Sequence, residues 1–136
     1  MDFVNSNRRE AHRILVVDDE PSVVIVLERL LRGSGFFVAS AHSGAEALRV
    51  FEQGPWDLVI TDRAMPEMNG EQLAERIKRV APATPVILIT GFARPGTSAE
   101  FFDAVLAKPF SKGELLESVS RVLGNRAKTA ICASEY

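Results

Sequence analysis

The sequence predicts an α/β domain in which a parallel sheet is covered by helices on both faces. Three observations carry that reading. Short apolar runs such as Ile14-Leu15-Val16-Val17, Leu58-Val59-Ile60 and Val86-Ile87-Leu88-Ile89 are continuous rather than alternating. That is the pattern of strands buried on both sides. The segments between them repeat apolar residues every three or four positions, as amphipathic helices do. Strand and helix alternate along the chain, which calls for crossover connections and so for parallel pairing.

The elements follow in order. Residues 1–12 are polar and are expected to be a loose N-terminal segment. Residues 13–17 form the first strand, closed by Asp18, Asp19 and Glu20. Pro21 suits the first position of a helix, where its missing N–H costs nothing. Val23, Val24, Leu27, Leu30 and Leu31 then recur at helical spacing, and Gly33 and Gly35 end the helix. Residues 36–41 make a second strand. Ser43 caps the next helix with Glu46 completing a capping box, and Ala47, Leu48 and Phe51 supply its inner stripe. Gly54-Pro55 precede the central strand, residues 57–61.

Residues 70–81 make a helix with Leu73, Ile77 and Val80 inward, and residues 86–89 a fourth strand. Residues 91–98, with Pro95-Gly96, read as a loop, and residues 100–103 as a possible short helix. Residues 104–107 are the fifth strand. Ser111 and Glu114 cap a last helix that carries Leu115, Leu116, Val119, Val122 and Leu123, and Gly124 is expected to stop it. The folded domain is thus placed at residues 13–124, with a polar tail at 125–136.

Composition narrows the function. The 136 residues fit one domain, with 46% hydrophobic and 25% charged residues. A net charge of −2 gives no reason to expect a nucleic-acid-binding surface, and Arg8-Arg9 is too short a run to make one. No apolar stretch is long enough to span a bilayer or to act as a signal sequence, so no membrane partner is expected. The single Cys132 cannot form an internal disulfide, which makes a cytoplasmic location the default. His12 and His42 have no neighbouring ligand residues and read as surface groups, and Met65 and Met68 as packing.

Chemistry concentrates where apolar runs end. Asp18-Asp19 follow the first strand, Asp62 the third, Thr90 the fourth and Lys108-Pro109 the fifth. Open α/β sheets hold their ligands at these carboxyl ends. Each residue alone has a plain explanation as a cap or turn former. Together they gather acids, a hydroxyl and an ammonium.

Asp18-Asp19, Asp62 with Met65-Pro66 and Gly70, Thr90, and Lys108-Pro109-Phe110 resemble the response-regulator receiver domain of two-component signalling. The resemblance covers residues 13–124. It implies a flavodoxin-like, doubly wound, five-stranded parallel sheet of order 2-1-3-4-5, whose switch point sets Asp18, Asp19 and Asp62 side by side. It also implies that Asp19, Asp62 and the Ala64 carbonyl bind Mg²⁺ directly while Asp18 acts partly through water. Mg²⁺ takes oxygen ligands and relieves crowded carboxylates. Asp62 is then the phosphoacceptor, Lys108 and Thr90 contact the phosphoryl oxygens, and the Lys108–Pro109 peptide is cis.

Two features depart from the family pattern. Val105 stands where receivers carry Tyr or Phe, and the stretch from Thr90 to Lys108 is short, as in some hybrid-kinase receivers. The fourth helix is therefore expected to be reduced, with Phe92, Phe101 and Phe102 as candidate substitutes for the missing ring. Ala64 and Phe92 are expected beside the phosphoryl group.

The resemblance implies a signalling module that promotes only its own phosphorylation and dephosphorylation, not an enzyme. Its donor would be a histidine kinase or a histidine phosphotransfer protein, and a downstream protein partner would read its state. With no output domain after residue 124, a stand-alone regulator is expected. Two alternatives belong to other classes. A phosphorylation-independent adaptor would not need the full Asp/Asp/Thr/Lys set, and an aspartate-dependent phosphohydrolase would want a second Asp at position 64.

Overall fold

A computed structural model of the chain describes residues 11–91 and 100–135, with side chains described through residue 124. The strands are β1 (Arg13–Val17), β2 (Phe37–Ala41), β3 (Leu58–Asp62), β4 (Val86–Thr90) and β5 (Ala104–Ala107). The helices are α1 (Pro21–Arg32), α2 (Gly44–Phe51), α3 (Gly70–Val80) and α4 (Lys112–Glu135). All strand pairs are parallel and the order is β2-β1-β3-β4-β5. The chain reverses its direction of travel across the sheet between β1 and β3, which is the switch point expected from the sequence.

Two apolar layers sandwich the sheet. Ile14, Val16, Leu58, Ile60, Ile87 and Ile89 meet Leu27 and Leu31 of α1 and Leu115, Val119 and Leu123 of α4. The alternate residues Leu15, Val17, Val59 and Val86 meet Ala47 of α2 and Leu73, Ala74 and Ile77 of α3. Successive side chains of a strand point to opposite faces, so burial on both faces requires the unbroken apolar runs seen in the sequence.

Several boundaries differ from expectation, each for a local reason. β2 starts at Phe37 because the Phe36 amide still bonds the Leu31 carbonyl at 3.2 Å, closing α1 together with the bond from Gly35 N to Arg32 O. Gly35 makes this possible with φ of +96°. β3 runs one residue later than expected, so Asp62 is its last residue rather than the one beyond it. Val80, expected inward, is 72% exposed: the last residue of α3, it lines a surface groove with Leu48 and Phe51 instead of joining the core.

Residues 100–103 do not form a helix. The Asp103 carboxylate instead accepts bonds from the Val86 amide and the Lys78 ammonium, tying the turn and bend before β5 to β4 and α3. Gly124 does not stop α4, which continues to Glu135. A helix-interior glycine costs only about 1 kcal/mol relative to alanine, and good helix formers such as Ala127 and Lys128 follow.

The caps are mostly as read. Ser111 and Glu114 exchange both bonds of a capping box. Ser43 accepts from the Glu46 amide, but the Glu46 carboxylate reaches the His42 amide rather than that of Ser43. Asn69 and Gln72 form a complete box at the start of α3, a signal present in the sequence as Asn-x-x-Gln but not recognised there.

Candidate functional site

The carboxyl ends of β1, β3, β4 and β5 converge. Asp18 follows β1 directly and is 1% exposed. Its amide donates to the Ala41 carbonyl at 3.2 Å, and its Oδ1 accepts from the Glu20 amide at 2.9 Å. Asp62 ends β3 and is 8% exposed. Asp19 is exposed at the rim, yet one carboxylate oxygen each from Asp18, Asp19 and Asp62 lie within 4.8 Å of one another.

Lys108 closes the group. Its amide donates to the Thr90 carbonyl at 2.9 Å, which fixes the end of β5 beside that of β4. Its Nζ lies 2.9 Å from Asp62 Oδ1 and 3.7 Å from Asp18 Oδ2. The Lys108–Pro109 peptide is cis. Thr90, buried, lines the same cleft as Asp62, Ala64 and Lys108. The cleft holds about 500 Å³ and is also lined by Arg63, Asn69, Glu71 and Gly91.

Gly70 lets the β3–α3 loop fold back this tightly. A Cβ there would collide with the Asp62 carbonyl oxygen and lie 3.1 Å from Arg63 Cα. Glu67, in the same loop, takes the left-handed conformation with φ of 69°.

Charge is unevenly compensated. Burial raises the Asp18 carboxyl to a pKa of about 6; the Glu20 amide opposes this, Asp62 adds to it, Lys108 opposes it, and Asp19 adds again. Burial lowers the Lys108 pKa, but the hydrogen bond to Asp62 and the negative charges of Asp62, Asp18 and Glu20 outweigh it and leave the pKa above the ordinary lysine value. Among the described residues, the Lys108 ammonium lies against Asp62 and Asp18, two of the three clustered carboxylates. The donor set is all oxygen, with no imidazole or thiolate, and therefore fits a hard divalent cation rather than a soft one.

The structure brings together Asp18, Asp19, Asp62, Ala64, Thr90 and Lys108, all singled out from the sequence. It does not bring Phe101 and Phe102 to them. Both precede β5 and pack in the α2–α3 layer, at the opposite end of the strand from Ala107, which pairs with Thr90. They are thus not substitutes for a ring at Val105, which is 40% exposed on the edge strand. Phe92 and the loop with Pro95 and Gly96 lie outside the described residues, and among the described residues no helix joins β4 to β5.

His12 and His42 are exposed, Met65 is buried, and Met68 packs over Gly44. The side chains of Arg8, Arg9 and Cys132 lie outside the described residues. Arg63 and Glu71 also line the cleft but carried no sequence signal, since only the loop between them makes them neighbours.

The response regulator receiver domain family matches residues 14–120. The chain belongs to that family. This receiver is 38% identical over 120 residues to the transcriptional regulatory protein ZraR of Salmonella typhimurium, covering 85% of this chain and 27% of that protein. It is 33% identical to the response regulator receiver protein CpdR of Brucella abortus, covering 82% and 96%. Among solved structures it is similar to the response regulator TrrA of Thermotoga maritima in complex with Mg²⁺-BeF, with a TM-score of 0.77, 36% identity, and 82% and 98% of the two chains covered. TrrA has also been solved in complex with the histidine kinase ThkA; that match has a TM-score of 0.76, 35% identity, and 82% and 98% coverage. The chain spans roughly 27–30% of the length of the ZraR and GlrR regulators it matches. The protein is a phosphoacceptor module of two-component signalling. Among the described residues, no helix is long and apolar enough to cross a membrane.

Proposed function

We propose that Asp62 is the phosphoryl acceptor of this receiver, with Thr90 and Lys108 as its phosphoryl-binding groups. Asp18, Asp19, Asp62 and the Ala64 carbonyl would hold Mg²⁺. The observation that carries the reading is the 2.9 Å contact of Lys108 Nζ with Asp62 Oδ1 beside two further carboxylates. Mg²⁺, when bound, supplies positive charge that offsets the acids and the incoming phosphoryl oxygens.

The chain's own residues do the rest. Asp62, at a buried strand end, offers a carboxylate oxygen to phosphorus with little freedom to move. Lys108 keeps its proton, as its raised pKa requires, and gives a compact positive charge to the phosphoryl oxygens. Thr90 offers a hydroxyl to those oxygens. Transfer of this kind depends on positioning and charge neutralisation more than on covalent assistance. Ala64 offers no acid or base two residues after Asp62, which favours a switch with one slow turnover over a phosphohydrolase.

The donor is a histidine kinase or a histidine phosphotransfer protein, and the module works in the cytoplasm, either switching a downstream protein or passing the group along a relay. TrrA in complex with ThkA supports a kinase partner by similarity. Phosphorylation adds charge at Asp62 and biases the loops around it between two arrangements. Amide exchange tests this. Beryllofluoride with Mg²⁺ should slow exchange within residues 90–110 of the native protein and leave Asp62→Asn unchanged. Identical exchange in the native protein with and without the ligand would refute the switch.

A further inference from the structure

Beyond the acids and Lys108, the cleft holds a second pair of charges that the proposed chemistry does not use. Arg63 directly follows Asp62, and Glu71 lies in the first turn of α3. Arg63 Nε lies 3.4 Å from Glu71 Oε1 and its Nη2 lies 3.4 Å from Oε2, a side-on fork. Both side chains are mostly buried, at 30% and 23% exposure, and both line the cleft that contains Asp62, Thr90 and Lys108. At 3.4 Å the fork is looser than the 2.7–2.9 Å of a strong charge-assisted pair. Glu71 is itself held in place, since a negative charge is favoured in the first turn of a helix. Arg63 therefore faces the cleft as a tethered cation that a competing anion can engage.

We infer that Arg63 is a binding residue for the leaving-group side of anionic phosphodonors, and that Glu71 is the positioning residue that sets its reach. The inference rests on Asp62 being the acceptor. Lys108 already contacts Asp62, where the phosphoryl group would be bound, so the second cation lining the same cleft is left for the other end of the donor. With acetyl phosphate, an Asp62 oxygen forms a bond to phosphorus, the bond from phosphorus to the acyl oxygen breaks, and acetate leaves with the electron pair and a negative charge. With phosphoramidate the phosphorus–nitrogen bond breaks and neutral ammonia leaves. Only the first reaction develops an anion for Arg63 to meet. A guanidinium suits a departing carboxylate because its fork matches the two oxygens.

The test measures labelling rates of the full chain with both donors in Mg²⁺, for the native protein and for Arg63→Ala, Arg63→Lys and Glu71→Gln. Arg63→Ala should slow acetyl phosphate about ten-fold, the loss expected for one partly screened charged contact of about 1.4 kcal/mol, and change phosphoramidate less than two-fold. The acetyl phosphate deficit should shrink as salt rises. Arg63→Lys should recover part of the rate, and Glu71→Gln should lower KM for acetyl phosphate by freeing the guanidinium. Equal losses with both donors would mean a merely structural role and overturn the inference, as would no loss with either. Failure of the native protein to label with any donor would instead refute Asp62 as acceptor.

Discussion

Gly70→Ala isolates the contact that lets the β3–α3 loop fold back onto Asp62. The added methyl would collide with the Asp62 carbonyl oxygen and come within 3.1 Å of Arg63 Cα and 3.2 Å of Leu88 Cδ1. The first two are backbone atoms at the end of the strand that carries the acceptor, so relief requires moving β3 or the start of α3. Overpacking of this kind costs about 1–3 kcal/mol. Losing a glycine from the unfolded chain returns about 0.4–1 kcal/mol, leaving a net destabilisation of about 0–2.6 kcal/mol by these two principles, toward the upper end because the colliding atoms are backbone.

The effect on chemistry should be larger than the effect on folding. Misplacing a reacting group by about 1 Å can cost about 100-fold, and Asp62 is bonded to the displaced carbonyl. Urea unfolding gives the first quantity, and the rate of labelling by acetyl phosphate in Mg²⁺ gives the second. A Gly70→Ala protein with native unfolding midpoint and native labelling rate would show that this close approach does not position the acceptor.

Other expectations follow from the same structure. Asp18 has a folded pKa of about 6 against 3.8 unfolded. Its charge therefore costs nothing below pH 3.8, costs progressively more between the two values, and at neutral pH opposes folding by roughly 3 kcal/mol as an upper bound. Without divalent cations, Asp18→Asn should thus raise stability near neutral pH by up to about 2–3 kcal/mol, with no gain below about pH 4; thermal unfolding across pH measures this, and a less stable variant at neutral pH would contradict it. Lys108→Ala leaves Asp62 and Asp18 without their ammonium and should destabilise the metal-free protein by about 1–3 kcal/mol, part of which Mg²⁺ restores; calorimetry with and without the ion reads both. Gly124→Ala, where a Cβ meets nothing within 4 Å, should stabilise α4 by about 0.5–1 kcal/mol, seen as a higher unfolding midpoint.

The fold and most of the site were legible because both rest on local signals. Strands buried on both faces read as unbroken apolar runs, and each site residue sits where such a run ends, so Asp18, Asp62, Thr90 and Lys108 could be placed before their distances were known. Their gathering follows from strand order alone, which the family resemblance supplied. What sequence missed depends on contacts between distant segments. Arg63 and Glu71 meet only because Gly70 lets the loop fold back. Val80 satisfies the helical period but, as the last residue of α3, stays exposed. Asp103 replaces the expected helix before β5 by bonding Val86 and Lys78 across the sheet edge. Gly124 matched a stop signal, yet a single glycine is weak against the helix formers after it.

The central claim, that separate strand ends assemble one phosphoryl-accepting centre on Asp62, is most directly tested by incubating the protein with acetyl phosphate and Mg²⁺ and mapping the adduct by tandem mass spectrometry of the trapped chain. A single phosphoryl group on Asp62, lost with chelator and in Asp62→Ala, is the predicted result. Labelling at another residue, or undiminished labelling of Asp62→Ala, would contradict it.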